Sequence, residues 1–364
     1  MKVFIASIER VVLLGGGNLI ISLVNGCKSE GIHVSVVTSP RHSQEYLNNG
    51  STLIDELQNL SIPYLVTSDI SSNETRQFLG DLSDAFCLSY GAAWIFKEKI
   101  INEIFKNKIF NLHGTRLPQN RGGGGFSWQI MMGNRLGFLQ LHLVDSGVDT
   151  GNLVRTEEFI YPANCRIPDD YEKLYLKKNL KFVIDFIKEL RQQGIDIETI
   201  KQSEYFSSYW PRLSTSDNGW INWSESIISL ERFICAFDKP YEGCKTFLNS
   251  SKVFIRSVMS DFSDQSFHKF QSGLIYRKNS SWLMVAADGG ALGLFTSIQR
   301  LRATWPDLAQ RLAEADIPLY AQHMDRMNLQ TLLQLFREDR RSALIGTDAV
   351  RDGVDVPGNA LRMM

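Results

Sequence analysis

The amino-terminal part of the chain has the order of elements that opens a doubly wound α/β sheet. An apolar run typical of a buried strand, Arg10–Leu14, leads into Gly15-Gly16-Gly17-Asn18. An apolar helix is predicted over Leu19–Cys27 and a second strand over Val34–Thr38. This order predicts parallel strands covered by helices. The glycines do not form GxGxxG, and no acidic residue ends the second strand, which argues against a dinucleotide site.

Polar residues of complementary chemistry follow two later predicted strands. The apolar pair Ile109-Phe110 leads into Asn111 and His113, and strand alternation places these two side chains on one side. A second strand, Phe138–Val144, ends in a turn that leads to Asp149. Side chains at the carboxyl ends of strands line the ligand crevice of an open α/β sheet. The pattern therefore predicts an amide, an imidazole and a carboxylate around one reacting atom. A structural role for each is the alternative, because histidines often lie in cores and aspartates in turns.

Several short motifs occur together between Asn111 and Gly151. They are Asn-x-His (Asn111 and His113), Leu117-Pro118, Arg121-Gly122, His142 and Asp149-Thr150-Gly151. In this order they resemble the formyltransferases that use 10-formyltetrahydrofolate, which formylate glycinamide ribonucleotide, methionyl-tRNA or nucleotide-linked amino sugars. The resemblance implies that 10-formyltetrahydrofolate is the cosubstrate, that no metal is needed, and that the catalytic residues are Asn111, His113 and Asp149.

The resemblance also implies where the cosubstrate binds. A strand is predicted over Ala85–Ser89, and the backbone of the segment after it is expected to bind the pterin at Trp94, Ile95 and Phe96. The side chains of Trp94 and Phe96 are expected to be core residues. The cosubstrate-binding residues implied by the resemblance are Trp94, Ile95, Phe96, Asp145 and Val148.

A long helix and a β-rich module follow. Apolar residues repeat along one stripe between Asp169 and Gln193, which predicts a helix that covers the sheet. A connector over Gln202–Asn222 precedes a helix over Ser224–Phe237 and short strands with turn signals, which favour a small barrel-like, OB-like domain. The formyltransferase resemblance spans roughly Arg10 to Gly290.

The chain changes composition after Gly290. Residues 291–364 contain nine arginines and no lysine, and they resemble part of the second motor domain of a DinG-type helicase at Thr296-Ser297 and at Gly346–Gly358. The chain has no GxxxxGK[ST] motif, which argues against ATP-driven unwinding. We therefore predict three parts: a Rossmann-like formyltransferase domain at 1–203, a small β-rich module at 204–290, and a helicase-like α/β fragment at 291–364. A natural fusion, a sequence artefact and a constructed chimera are the alternatives for this junction.

The charge pattern bears on the acceptor of the formyl group. The formal net charge is −1, and residues 205–290 hold nine Lys or Arg against eight Asp or Glu, whereas a tRNA-binding surface should be basic. A nucleotide-linked amino sugar is therefore favoured over methionyl-tRNA. Arg116 and Arg121 are the candidates for its diphosphate, with a surface or ion-paired role as the alternative for each. A DNA-associated protein that acts through the helicase-like fragment is the non-enzymatic alternative.

Cysteine usage and hydropathy predict the compartment. The five cysteines are scattered without CxxC spacing, which is typical of reduced thiols in a cytoplasmic protein. No apolar run reaches the roughly 18 residues of a membrane span, and the sequence does not start like a signal peptide. A homodimer is expected by resemblance to the sugar enzymes.

Overall fold

The central element of the computed structural model is a mixed seven-stranded sheet. The structure describes residues 2–262, 267–278, 282–295, 309–314, 317–321, 327, 329–339 and 342–345. The chain divides into two compact units, Met1–Leu213 and Ser214–Met364. The strands of the first unit are β1 Lys2–Ile5, β2 Arg10–Gly15, β3 His33–Thr38, β4 Tyr64–Val66, β5 Ala85–Tyr90, β6 Ile109–His113, β7 Arg121–Gly122, β8 Leu136–Leu143, β9 Leu153–Ile160, β10 Ile195–Glu198 and β11 Tyr209–Trp210.

The order of the large sheet is β4-β3-β2-β5-β6-β8-β9. The strands from β4 to β6 are parallel, and β8 and β9 are added antiparallel at one edge. Two smaller pairings accompany it: β1 pairs with β10, and β7 pairs with β11. Because β6 and β8 are neighbours, the two polar segments predicted from the sequence end up side by side.

Helices cover both faces of this sheet. In β2, Val11 and Leu13 face one apolar core, whereas Val12 and Leu14 face another, which explains why a parallel strand is apolar at every position. Gly26 of the first helix lies against Ile184 of the long helix, where an added Cβ would be 2.9 Å from the Ile184 Cδ1 atom. The helices are α1 Asn18–Ser29, α2 Pro40–Ser43, α3 Leu53–Asn59, α4 Asn73–Leu79, α5 Glu98–Glu103, α6 Gly125–Met131 and α7 Pro168–Gln192.

The glycine turn after β2 permits a close approach of two chain segments. Gly15 has a φ of 138°, and a Cβ added there would lie 1.9 Å from the carbonyl oxygen of Tyr90. A side chain at Gly15 would therefore separate β2 from the end of β5, where the predicted cosubstrate segment begins.

The second unit contains a β-rich module and a short α/β segment. An antiparallel sheet has the order β14-β17-β16-β15, and β12 and β13 form a separate hairpin. Helix α9 lies against this sheet, and β18 and β19 form a parallel pair. The elements are α8 Thr215–Asn218, α9 Ile227–Ala236, β12 Cys244–Leu248, β13 Ser251–Ile255, β14 Val258–Asp261, β15 Ile275–Lys278, β16 Trp282–Ala287, β17 Gly290–Phe295, β18 Leu319–Ala321, α10 Leu329–Glu338 and β19 Ala343–Ile345.

The division of the structure differs from the predicted boundaries in two places. Residues 204–213 belong to the first unit rather than the module, because β11 pairs with β7 there. The predicted boundary at 290/291 cuts through β17, which pairs with both β14 and β16. The helicase-like motifs at Thr296-Ser297 and Gly346–Gly358 lie outside the described residues. Among the described residues, no helix has both the length and the apolar character to span a bilayer.

Candidate active site

The paired ends of β6 and β8 form one wall of a cavity of about 500 Å³. Asn111 of β6 is directly opposite His142 of β8 in the antiparallel register, and His113 is the last residue of β6. These three side chains and Asp149 line the cavity. The structure thus brings together the three predicted catalytic residues and adds His142, to which the sequence motifs assigned no role.

Asp149 lies between the two imidazoles. Its Oδ2 atom is 3.7 Å from His113 Nδ1, and its Oδ1 atom is 3.6 Å from His142 Nε2. The backbone N–H of Gly122 donates to Oδ2 at 2.9 Å. Burial by itself would raise the pKa of Asp149, but His142, the charge of His113 and the Gly122 bond outweigh it and lower the pKa to about 2. Asp149 is therefore a carboxylate throughout the neutral range.

His113 is buried and fixed by the loop that follows it. Its Nε2 atom is 2.8 Å from the carbonyl oxygen of Asn120 and 2.7 Å from Thr115 Oγ1. Since a carbonyl only accepts, Nε2 carries the proton and Nδ1 is left as an acceptor. Burial lowers the pKa of His113, partly opposed by the Asp149 carboxylate, so the neutral ring is favoured. The arrangement suits a base whose protonated form is stabilised by Asp149.

Asn111 is oriented by His142. The Nδ1 atom of His142 donates to the carbonyl oxygen of Leu143 at 2.7 Å, which leaves Nε2 to accept from the Asn111 amide at 3.1 Å. The amide nitrogen therefore faces His142 and the cavity, and its second hydrogen remains for a bound acceptor atom. The opposition of Asn111 and His142 was not predictable without the register of β6 and β8.

These groups can perform acyl transfer. A fixed amide donor can stabilise an oxyanion, and a neutral imidazole can take a proton from an attacking amine. The carboxylate stabilises the imidazolium that results. Within the part of the chain that the structure describes, no cluster of three or more His, Cys, Asp or Glu side chains could hold a metal ion.

The predicted cosubstrate residues all border the same cavity. Phe96 is buried and packs edge-on against Phe105 at 5.9 Å between ring centroids, as expected for a core side chain. The side chains of Ile95 and Val148 are 76% and 52% exposed, so they are available to a ligand. The cavity-lining residues of this predicted set are Trp94, Ile95, Phe96, Asp145 and Val148.

The two predicted phosphate-binding arginines are not part of the cavity lining. Arg121 is buried and its guanidinium forms two hydrogen bonds to the Glu204 carboxylate, at 3.0 and 2.8 Å. The ion-paired alternative is therefore the structural outcome for Arg121. Arg116 is exposed and lies 6.0 Å from the centroid of the Phe138 ring. The partners of Arg121 are more than 80 residues away in sequence, so the local sequence could not distinguish the two alternatives.

Two other arginines line the cavity instead, Arg41 and Arg212. Arg41 belongs to the short helix α2, where it contacts Glu45 at 3.3 Å. Arg212 lies against the glycine run: its Cβ atom would be 3.2 Å from a Cβ added to Gly123. No motif pointed to either residue, and Arg212 falls in the segment that the composition indicated as a connector.

Two family models match parts of this chain. Residues 214–309 match the family model described as formyl transferase, C-terminal domain, and residues 281–364 match the helicase C-terminal domain. The two matches overlap at β16 and β17. The methionyl-tRNA formyltransferase of Orientia tsutsugamushi (strain Boryong) is 26% identical over 265 residues, which cover 72% of this chain and 83% of that protein.

Solved structures share the fold. An N-formyltransferase from Helicobacter canadensis, in complex with folinic acid and dTDP-3-aminofucose, has a TM-score of 0.61 and 19% identity over 79% of this chain and 99% of its own. The sugar 3N-formyl transferase WlaRD has a TM-score of 0.60 and 17% identity over 79% of this chain and 97% of its own. These matches confirm the sequence-based resemblance and the fold class: over about residues 10–290 the chain is similar to formyltransferases.

Proposed function

We propose that the protein transfers a formyl group from 10-formyltetrahydrofolate to the amine of a nucleotide-linked amino sugar. The observation that carries this proposal is the convergence of Asn111, His113 and Asp149 on one cavity, with the amide and imidazole hydrogen-bonded as acyl transfer requires. The formyl donor is supported by the family. The two structures cited above contain folinic acid in one case and 5-N-formyl-THF in the other.

The site residues act in the following sequence. The unprotonated amine attacks the formyl carbon, and the carbonyl oxygen becomes an oxyanion that accepts the second N–H of Asn111. His113 takes the proton of the attacking amine at Nδ1, and Asp149 stabilises the resulting imidazolium. When the intermediate collapses, the bond between the formyl carbon and N10 breaks. The imidazolium then returns its proton to N10, which leaves as tetrahydrofolate.

The two cavity arginines suit a diphosphate. Arg41 and Arg212 both line the cavity that contains the catalytic groups, and guanidinium groups bind phosphate oxygens in bidentate geometry. We propose that they hold the diphosphate of the acceptor in place of Arg116 and Arg121. A nucleotide-linked sugar supplies a diphosphate next to its amine-bearing ring, which matches a compact cavity that carries both groups.

Methionyl-tRNA is the second candidate acceptor, because the curated relative cited above is a methionyl-tRNA formyltransferase. Against it stands the nearly neutral charge of residues 205–290. We also propose a cytoplasmic location, which the scattered cysteines without CxxC spacing favour. A homodimer, by analogy with the sugar enzymes, belongs to the same proposal.

The test is release of tetrahydrofolate from 10-formyltetrahydrofolate with dTDP-linked 3-amino and 4-amino sugars and methionyl-tRNA in parallel. We expect turnover with a sugar and none with the tRNA. Arg41→Gln and Arg212→Gln should each raise KM for the sugar by roughly tenfold or more, because each removes a charge-assisted hydrogen bond. Arg116→Gln is the matched control and should leave KM unchanged. Turnover with tRNA alone would replace the sugar by the second candidate.

A further inference from the structure

Gln202 is a buried glutamine that binds the backbone of the loop carrying Asp149. It is 5% exposed, although it lies about fifty residues from that loop in sequence. Its Nε2 atom donates to the carbonyl oxygen of Asp149 at 2.9 Å and to that of Gly151 at 2.7 Å. Both amide hydrogens are therefore used to hold the two ends of one three-residue turn.

Arg121 fixes the direction of that amide. Its Nε–H donates to Gln202 Oε1 at 3.2 Å, so the NH2 end of the glutamine must face the turn. The rest of the guanidinium is bound by the Glu204 carboxylate. A buried arginine held in this way cannot rotate without losing charge-assisted bonds, so it orients Gln202 firmly.

The neighbouring residue holds the other end of Asp149. The Gly122 N–H donates to the Asp149 carboxylate at 2.9 Å, so the dipeptide Arg121-Gly122 acts on Asp149 through both its carboxylate and, by way of Gln202, its backbone. Asp149 has a φ of 55°, a left-handed conformation that is uncommon for a non-glycine residue and persists where surrounding contacts constrain it. Gln202 supplies such a constraint.

We propose that Gln202, oriented by Arg121, is a positioning residue that holds Asp149 between His113 and His142. The expected fall in kcat rests on the proposed function. The expected change in the position of Asp149 does not. The Asp149 oxygens lie 3.7 and 3.6 Å from the two imidazoles, so a shift of the turn toward one ring moves the carboxylate away from the other. Displacements of about 1 Å in an active site can cost about a hundredfold in rate.

The experiment compares Gln202→Met with the parent in the full chain. Methionine has a similar length and no charge, and it removes both donors. We expect kcat to fall by about ten- to a hundredfold, a larger factor than any rise in KM for 10-formyltetrahydrofolate, because Asp149 acts in the chemical step and most of the predicted cosubstrate contacts lie on the segment Trp94–Phe96. The same change at the exposed Gln193, Gln193→Met, is the matched control and should leave both constants unchanged.

A second readout does not depend on turnover. The imidazole of His113 is titrated by NMR, with its resonance identified by its absence in His113→Gln. The Asp149 carboxylate raises the pKa of His113, so Gln202→Met should lower that pKa relative to the parent. An unchanged His113 pKa together with an unchanged kcat would overturn the inference. A lowered pKa in a protein that is inactive with every acceptor would uphold the inference and refute the proposed function.

A folding failure of the methionine variant would not end the test. Gln202→Asn keeps the amide on a side chain that is one methylene shorter. It can therefore reach at most one of the carbonyl oxygens of Asp149 and Gly151. We expect for it a smaller loss of kcat in the same direction and a smaller fall in the His113 pKa. Parental values of both quantities in a folded Gln202→Asn protein would contradict the inference.

Discussion

At the scale of residues, the site is a chain of hydrogen bonds in which each group fixes the next. Leu143 fixes the tautomer of His142, which in turn orients the Asn111 amide. Asn120 fixes the tautomer of His113 in the same way. The tautomer assignments follow from backbone carbonyl groups, which do not titrate, so the two imidazoles keep distinct roles.

The oxyanion role of Asn111 predicts a large kinetic effect of its removal. Asn111→Ala should lower kcat by about a hundred- to a thousandfold, since one preformed donor to the developing negative charge is lost. Release of tetrahydrofolate under saturating substrates measures it. The exposed Asn59 at the end of α3 provides the control, Asn59→Ala, which should retain parental kcat. A fully active Asn111→Ala enzyme would remove Asn111 from the mechanism.

The lowered pKa of Asp149 predicts a pH-dependent contribution to stability. The folded pKa is about 2 and the unfolded pKa about 3.9, so the unfolded chain binds the proton first on acidification. The contribution, on the order of 2 kcal/mol, is complete above about pH 4 and is lost as pH falls toward 2. Denaturant unfolding of the parent and Asp149→Asn should therefore differ most at pH 7, and the difference should shrink steadily between about pH 4 and pH 2. A difference in the free energy of unfolding that stays constant from pH 7 to pH 2 would contradict this pH dependence.

At the scale of elements, the short pairing of β7 with β11 closes the site. A Cβ on Gly122 would lie 2.3 Å from the carbonyl oxygen of Trp210, and the residue has a φ of 96°. Glycine is needed there both for the conformation and for the close approach of the strands. The N–H that binds the Asp149 carboxylate belongs to Gly122 as well. The pairing of β7 with β11 therefore also sets the position of that carboxylate.

Replacement of Gly122 tests this element. Gly122→Ala should separate β7 from β11, displace the Asp149 carboxylate and lower kcat by about tenfold or more. Gly31→Ala is the control: Gly31 also has a positive φ, of 65°, but nothing lies within 4 Å of an added Cβ. Circular dichroism would compare the folding of both variants. Equal kcat values for the two variants would contradict a role of the β7–β11 pairing in positioning Asp149.

The accuracy of the sequence-based interpretation also varies with the kind of contact. Strand alternation and strand ends are local, and they were sufficient to place Asn111 and His113 on one side of β6. Long-range pairings are not local: the partner of Arg121 and the cavity position of Arg41 depend on how distant segments fold together. Charge alone did not distinguish an arginine that binds a ligand from one that is neutralised by Glu204.

At the scale of the whole molecule, the composition break after Gly290 is not a structural boundary. Ala291 and Leu292 of β17 are buried in the sheet of the second unit. The residues matched by the formyl transferase C-terminal model extend to 309, and those matched by the helicase model begin at 281. The β-rich module therefore draws on both matched segments.

Truncated chains test whether the β-rich module ends at Gly290 or includes β17. A chain of residues 1–309 should keep β17 and show cooperative thermal unfolding of the β-rich module, whereas a chain of residues 1–290 should lose it, because two fully paired neighbours of β17 lose their partner. Differential scanning calorimetry of both chains measures the transition. Equal transitions in the two chains would show that β17 is dispensable.

The interior position of β17 has a consequence for aggregation. With the order β14-β17-β16-β15, β17 is not an edge strand, and its loss would leave β14 and β16 each with a row of unpaired backbone N–H and C=O groups. Such edges are templates for pairing with other chains. A chain shortened at the composition break would therefore do more than lose a segment of different composition: it would expose two new surfaces for intermolecular β-pairing.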